Sequence, residues 1–160
     1  MLNWKKLYSK LLEMDKIVLS THENPDGDGL GSACAMLNII SKMNIECKII
    51  SSTNFSKQYN FLNNNDQIEV YDHNVHYDWV SSADGAIIFD VGDYRRLREV
   101  GDILNEQNIY TVNIDHHPNL NDERFNDHFV DISAAATGEM VYEFIRSNNI
   151  DFNFEMAQGI

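Results

Sequence analysis

The sequence predicts an α/β domain with a mainly parallel sheet flanked by helices, and three observations support this fold class. Stretches with helical periodicity alternate along the chain with short strand-like stretches, which is the order that βαβ units require. Strand-like stretches such as Lys16–Ser20 and Ala86–Phe89 are almost wholly apolar, as strands are when both faces of a sheet are covered. A chain of 160 residues, 43% of them hydrophobic, suits one domain with its own core.

Local spacing predicts the individual elements. Helices are expected where apolar residues recur three and four positions apart, and strands where short apolar runs lie between polar stretches. The helices carry Trp4, Leu7, Tyr8, Leu11 and Leu12; Leu30, Ala33, Cys34, Leu37 and Ile40; residues 100–107; and Met140, Val141, Phe144 and Ile145, with an end at Asn148–Asn149. The strands are Lys16–Ser20, Cys47–Ser51, Ile68–Tyr71, Ala86–Phe89 and Tyr110–Ile114, and a short apolar stretch at 128–130 precedes Asp131. Residues 53–67 and 72–78 are polar, and we expect loops there with one short helix near residues 55–62.

Charge and composition exclude several classes of protein. The chain has 25 acidic and 12 basic residues, a net charge of −13, so it lacks the broad basic face that binds long duplex nucleic acid or an anionic membrane. Its apolar runs are far shorter than the roughly 18 residues of a membrane span, and its N-terminus does not resemble a signal peptide. Cys34 and Cys47 form no CxxC pattern and are expected to be small core residues. We therefore expect a soluble, cytoplasmic protein, with its oligomeric state left open.

Three predicted strands end in turns that carry carboxylates and imidazoles, and a fourth stretch ends at another acid. In chain order these residues are His22, Asp26 and Asp28 in a glycine-broken turn, then Asp90, the run Asp115–His116–His117, and Asp131. In open α/β sheets, ligands bind at the carboxyl ends of the strands. Mixed carboxylates and imidazoles suit Mn²⁺ or Mg²⁺, and clustered carboxylates repel one another unless cations neutralise them. The pattern predicts a site for two divalent cations.

Four motifs carry a family resemblance. HENPDGDGLGS, FDVGD, DHH and VDISAAAT, in this order and at this spacing, resemble the motifs of the DHH phosphoesterase family, and the match extends from about Val18 to Tyr142. The resemblance implies a Rossmann-like catalytic domain that uses manganese, or another divalent cation such as magnesium. It also implies hydrolysis of phosphodiester or phosphomonoester bonds by two-metal activation of water. The implied substrates are small nucleotides, namely very short oligoribonucleotides and 3′-phosphoadenosine 5′-phosphate.

The resemblance also implies a role for each site residue. The metal ligands would be His22 and Asp26 for one ion, Asp28, His116 and Asp131 for the other, and Asp90 as a bridge between the two. His117 would face the substrate phosphate as a catalytic and substrate-binding residue, with Asp115 orienting an imidazole. Arg96 would brace Asp93 or contact a phosphate.

Alternatives remain open at the level of sequence. Relatives carry a second domain with a glycine-rich loop that binds the substrate, and nothing here matches it. We therefore expect residues 1–160 to be a catalytic domain truncated at its C-terminal end. A cyclic-dinucleotide phosphodiesterase and a non-catalytic module that binds metal or nucleotide are the alternative functions. His73 and His76 have ligand-like spacing, but we expect them in a polar loop without a functional metal.

Overall fold

The computed structural model describes residues 2–118 and 122–160, and six strands form a single sheet. The strands are β1 (Lys16–Thr21), β2 (Glu46–Ser51), β3 (Ile68–Val70), β4 (Gly85–Phe89), β5 (Tyr110–Asp115) and β6 (Asp127–Val130). Their order across the sheet is β3-β2-β1-β4-β5-β6, and each neighbouring pair is parallel. This confirms the predicted α/β class and places a topological switch point between β1 and β4, where successive strands leave in opposite directions.

Helices cover both faces of the sheet. They are α1 (Trp4–Leu11), α2 (Gly27–Ile40), α3 (His73–Ser81), α4 (Arg98–Glu106), α5 (Thr137–Ser147) and α6 (Phe154–Gln158), with 3₁₀ turns at Lys57–Leu62, Asn64–Asp66 and Tyr94–Leu97. One hydrophobic cluster joins the sheet to α1, α2, α5 and α6, and a second joins its opposite face to α3 and α4. Strand β4 serves both clusters, since Ile87 and Phe89 enter the first and Ala86 and Ile88 the second. Burial on both faces is why its sequence is continuously apolar.

Two sequence predictions about the helices are wrong. Leu12, expected on the buried stripe of the first helix, is 57% exposed, because α1 ends at Leu11 and Leu12 lies in its C-cap. Residues 73–81, expected to begin in a polar loop, form α3 directly after β3. Asp72 caps this helix by accepting a hydrogen bond from the backbone N–H of Asn74, and His76 and Val80, four positions apart, are its buried residues.

The glycines of the first motif have a different use from the one predicted. Gly27, Gly29 and Gly31 lie within α2 instead of breaking a turn, and none of the glycines in the described residues has a positive φ. A Cβ on Gly29 would lie 2.1 Å from Thr21 Oγ1, and one on Gly31 would lie 2.4 Å from the carbonyl oxygen of Gly159. Small residues here let the first turns of α2 pack against the end of β1 and the C-terminal segment.

Candidate metal centre

The candidate centre lies at the switch point of the sheet. Thr21, the last residue of β1, pairs in register with Phe89, the last of β4, and Phe89 pairs with Ile114 of β5. The residues that follow these strand ends therefore meet at one edge of the sheet, as the sequence predicts. Two groups of residues in the described part of the chain bring three possible ligand atoms within 4.8 Å of one another: His22, Asp26 and Asp90, and Asp90, His116 and His117.

The first group centres on the imidazole of His22. Its Nε2 lies 3.5 Å from Asp90 Oδ2 and 3.8 Å from Asp26 Oδ2. Its Nδ1 lies 2.7 Å from the carbonyl oxygen of Glu23 and 2.8 Å from Arg96 Nη2, and the tautomer that donates Nδ1–H to Glu23 is the one that leaves Nε2 free to coordinate a metal ion. Burial opposes protonation of His22, but its hydrogen bonds with Asp90 and with the Glu23 carbonyl raise the pKa of the imidazole overall.

In the second group, His116 has the geometry of a metal ligand. Its Nε2 lies 3.4 Å from Asp28 Oδ2 and 3.7 Å from Asp90 Oδ1, while its Nδ1 lies 3.3 Å from the carbonyl oxygen of Ala134. The carbonyl contact favours the tautomer that leaves Nε2 unprotonated. The structure thus places His116 Nε2 between the carboxylates of Asp28 and Asp90, although Asp28 lies outside both groups of ligand atoms that fall within 4.8 Å of one another.

Asp90 belongs to both groups. It is buried directly after β4 and has a positive φ of 61°, a left-handed conformation that is uncommon outside glycine, asparagine and aspartate. Burial alone would raise the pKa of its carboxyl group, but the hydrogen bond with His22 and the positive charges of His117, His22 and His116 lower it overall. The carboxylate is thus held ionised between imidazoles on both sides.

Asp28 links the centre to α5. Its carboxylate accepts hydrogen bonds of 2.8 Å from the backbone N–H groups of Thr137 and Gly138, and the N-cap residue of α5, Ala136, has no side-chain acceptor. Asp28 therefore caps a helix that is distant in sequence. Burial and the neighbouring charge of Asp90 raise the pKa of Asp28, and the two backbone hydrogen bonds oppose this rise.

His117 is oriented by Asp115, which is fully buried at the end of β5. The Oδ1 atom of Asp115 lies 2.9 Å from His117 Nδ1 and accepts a second hydrogen bond, of 3.1 Å, from the backbone N–H of His117. Burial lowers the pKa of His117, but Asp115 and the nearby carboxylates of Asp90 and Asp28 raise it overall. The His117 side chain remains 52% exposed, so it faces the open side of the crevice.

The structure does not bring Asp131 into either group of described ligand atoms. Its backbone N–H donates to the carbonyl oxygen of Asp115, which extends the pairing of β6 with β5. Its carboxylate turns back on the chain and accepts hydrogen bonds from the backbone N–H and the hydroxyl of Ser133, which lower its pKa. The ligand role of Asp131 therefore stays a prediction that this geometry does not support.

The arginines after Asp90 separate into three roles. Arg96 reaches the centre, where its Nη2 atom lies 2.8 Å from His22 Nδ1. It does not brace Asp93, because Arg95 makes that contact, with an Nη2–Oδ2 distance of 2.6 Å. Arg98 pairs instead with Glu23.

Sequence reasoning missed the groups that position the ligands. These are the carbonyl groups of Glu23 and Ala134 and the backbone N–H groups of Thr137 and Gly138. Thr137 is the last residue of the fourth motif, and its buried hydroxyl lies 3.5 Å from Asp90 Oδ1. Main-chain donors and acceptors carry no residue-specific signal, so only this threonine could have been singled out from the sequence.

The histidines near α3 lie outside both groups of candidate ligands. His76 is buried, its Nε2 lies 3.0 Å from Glu69 Oε2, and its Nδ1 contacts the backbone of Asp72. His73 packs its ring against Tyr77 at 4.9 Å. These contacts make His76 a buried residue of α3 and leave His73 exposed beside Tyr77 on the same helix.

The fold and the centre together define an α/β domain of the Rossmann type with carboxylates and imidazoles gathered at its switch point. The family model described as "DHH family, N-terminal domain" matches residues 16–159, and the chain belongs to this family. The three residues that give the family its name are Asp115, His116 and His117 in this chain.

Curated relatives match most of this chain. The chain is 32% identical over 156 residues to the uncharacterized protein MG371 of Mycoplasma genitalium, covering 96% of this chain and 45% of the relative. It is 29% identical over 130 residues to the bifunctional oligoribonuclease and PAP phosphatase NrnA of Bacillus subtilis, covering 81% of this chain and 37% of that protein. The chain therefore spans less than half the length of these relatives.

Solved structures show the same fold. An exopolyphosphatase-related protein from Bacteroides fragilis superposes with a TM-score of 0.84 at 23% identity, over 92% of this chain and 44% of that one. A sirtuin structure superposes more loosely, with a TM-score of 0.60 at 10% identity over 94% of this chain. Among the helices of the described residues, none is long and apolar enough to cross a membrane.

Proposed function

We propose that this chain is the metal-binding catalytic domain of a phosphoesterase that hydrolyses short oligoribonucleotides and 3′-phosphoadenosine 5′-phosphate. The observation that carries the proposal is the position of Asp90, whose two carboxylate oxygens face different sets of possible ligands. His22 and Asp26 would hold one divalent cation, Asp28 and His116 a second, and Asp90 would contact both. Bound Mn²⁺ ions, or Mg²⁺ in their place, would activate water and neutralise phosphoryl charge.

The remaining side chains have roles that need no direct contact with metal. Asp115 holds the proton of His117 on Nδ1 and so leaves Nε2 as the ring nitrogen available to a substrate. A half-exposed imidazole placed in this way can offset charge on a phosphoryl oxygen or protonate a leaving group. Arg96, 2.8 Å from His22 Nδ1, adds a fixed positive charge beside the first ligand group and is the second candidate for contact with phosphate.

The choice of small substrates has two supports. The net charge of −13 disfavours long polyanions, because neutralising many phosphates requires clustered cations. The name of the Bacillus subtilis relative describes activity on oligoribonucleotides and on PAP, and a relative in Mycoplasma genitalium carries the same name at 29% identity over 135 residues.

The experiment compares the adjacent histidines, each changed to alanine. His116→Ala should reduce bound manganese, because it removes an imidazole that faces two carboxylates. His117→Ala should keep manganese near the unsubstituted level and lower the rate of phosphoester hydrolysis by about 10²- to 10⁴-fold. His128→Ala, on β6 outside both ligand groups, is the matched control.

Manganese content is measured by elemental analysis and turnover with a diribonucleotide and with 3′-phosphoadenosine 5′-phosphate. Metal loss in His117→Ala but not in His116→Ala would reverse the two assignments. Absence of hydrolysis of both substrates by the manganese-loaded, unsubstituted chain would refute the proposal for this domain.

A further inference from the structure

A second pocket lies beside the metal centre, over the carboxyl ends of β2 and β3. Its volume is about 500 Å³, within the range of about 300–1,000 Å³ that is usual for ligand sites. The lining residues that bear on its chemistry are Thr53, Tyr71, His73, Arg98, Glu99 and Asp102. None of them belongs to the two groups of candidate metal ligands in residues 2–118 and 122–160.

The pocket shares a wall with the first motif. Arg98 pairs with Glu23, which directly follows His22, and Thr53 Oγ1 accepts a hydrogen bond of 2.8 Å from the backbone N–H of Asn24. Consecutive Cα atoms are about 3.8 Å apart, so this wall lies one or two residues from the first ligand group. The pocket and the first ligand group therefore lie against the same segment of chain, residues 22–24.

The charges of the pocket disfavour a second phosphate. Arg98 is the cation in the lining, and its guanidinium is already paired with Glu23. Glu99 and Asp102, both exposed on α4, contribute two carboxylates. The balance is negative, so an uncharged group that donates hydrogen bonds fits better than an anion.

The aromatic side of the pocket favours a flat ring. Tyr71 is half-buried, and its hydroxyl lies 3.2 Å from His73 Nδ1, so the two rings are held together at the wall.

The backbone of Arg98, another residue of the lining, is held in place by its contacts. Arg98 has φ 53° and ψ −140°, a strained conformation for a residue with a side chain. Such strain persists where surrounding contacts hold the backbone, here the pairing of Arg98 with Glu23 and the hydrogen bond of 2.6 Å from Ser52 Oγ to the carbonyl of Leu97.

We infer that this pocket binds a nucleobase of the substrate, stacked on Tyr71, with its amino group directed at the carboxylates of Glu99 and Asp102. Adenine, guanine and cytosine carry such an amino group, whereas uracil does not. The inference rests on the proposed function, since it assigns the pocket to the nucleotide whose phosphate lies at the metal centre.

Binding of free nucleosides tests this inference without any need for turnover. Equilibrium dialysis of the 160-residue chain with adenosine should show binding in the millimolar range or tighter, and weaker binding of uridine. Tyr71→Ala should weaken adenosine binding about 5- to 100-fold, the range expected for loss of one base–aromatic stack. Tyr71→Phe keeps the ring and should bind adenosine like the unsubstituted chain. Tyr142→Ala, on α5 outside the pocket, is the matched control.

A second variant covers the case in which Tyr71→Ala does not fold. Asp102 is exposed on α4, so Asp102→Ala leaves the core intact and should bring the affinities for adenosine and uridine closer together. Glu106→Ala, exposed on the same helix and outside the pocket lining, should leave their ratio unchanged.

The outcomes separate this inference from the proposed function. Adenosine binding that is absent, or is unaffected by both Tyr71→Ala and Asp102→Ala, would overturn the pocket assignment. A diribonucleotide hydrolysed with the same KM by the unsubstituted and Tyr71→Ala chains would overturn the pocket and leave the phosphoesterase in place. Tyrosine-dependent adenosine binding without any hydrolysis would support the pocket and count against the enzyme.

Discussion

Replacing Asp90 with asparagine should abolish the stabilisation of this domain by manganese. Asp90 is the carboxylate common to both ligand groups in the described residues, so the substitution weakens both sites at once. Asparagine has nearly the same shape and tolerates the left-handed backbone at this position, where φ is 61°. The change therefore removes a charged ligand atom with little disturbance of the backbone.

The size of the effect follows from mass action. An ion that binds only the folded state at 100 times its Kd adds about 2.7 kcal/mol to the free energy of unfolding. In a domain of this length each kcal/mol raises Tm by about 2–4 °C, so one filled site gives about 5–10 °C and two give about 10–20 °C. Asp90→Asn should reduce this rise to a few degrees or less.

Thermal melts followed by circular dichroism, with excess Mn²⁺ and with a chelator, measure the effect. Asp78→Asn, on the exposed surface of α3, should keep the full shift and serves as the control. Identical melting curves of the unsubstituted chain with and without Mn²⁺ would refute the two-ion centre. A full manganese shift in Asp90→Asn would show that Asp90 does not hold the ions.

Three further predictions concern the frame of the site. Phe144→Ala should lower the free energy of unfolding by about 3–5 kcal/mol in urea titrations, because this fully buried ring of α5 packs against Trp4 and Tyr8 of α1. A loss below about 1 kcal/mol would contradict this packing. Burial raises the pKa of the Cys34 thiol to about 12 and raises the pKa of the Cys47 thiol as well. A thiol reagent at pH 8 should therefore label neither cysteine in the native chain and should label both when the chain is unfolded in guanidinium. Rapid labelling of the native chain would argue against the fold near α2 and β2. Gly31→Ala should cost about 1–3 kcal/mol of stability, because the new Cβ would meet the backbone oxygen of Gly159 at 2.4 Å; a variant as stable as the unsubstituted chain would show that the C-terminal segment does not pack there.

The sequence alone determined the class of fold and the edge of the sheet where the site lies. Buried parallel strands are read from continuous apolar runs, and each of these runs is local. Polar residues directly after such runs, as with His22, Asp90 and His116, must then meet at the carboxyl edge, because parallel strands all end there. The four motifs resemble those of the DHH family, and the match of the family model to residues 16–159 confirms that resemblance.

Only the tertiary structure decided how these residues are held. Two contacts join segments that are distant in sequence: Asp28 caps α5, and Arg96 approaches His22. A third contact is local, since the Asp131 carboxylate accepts hydrogen bonds from Ser133, and the sequence does not indicate this partner over a metal ion. The glycines of the first motif were mistaken for turn residues because their use, close packing against distant segments, leaves no trace in local spacing. Ligand identity is thus largely a local property of strand ends. Ligand geometry depends on which main-chain groups and helix ends the fold brings alongside, and that is decided only when the chain packs.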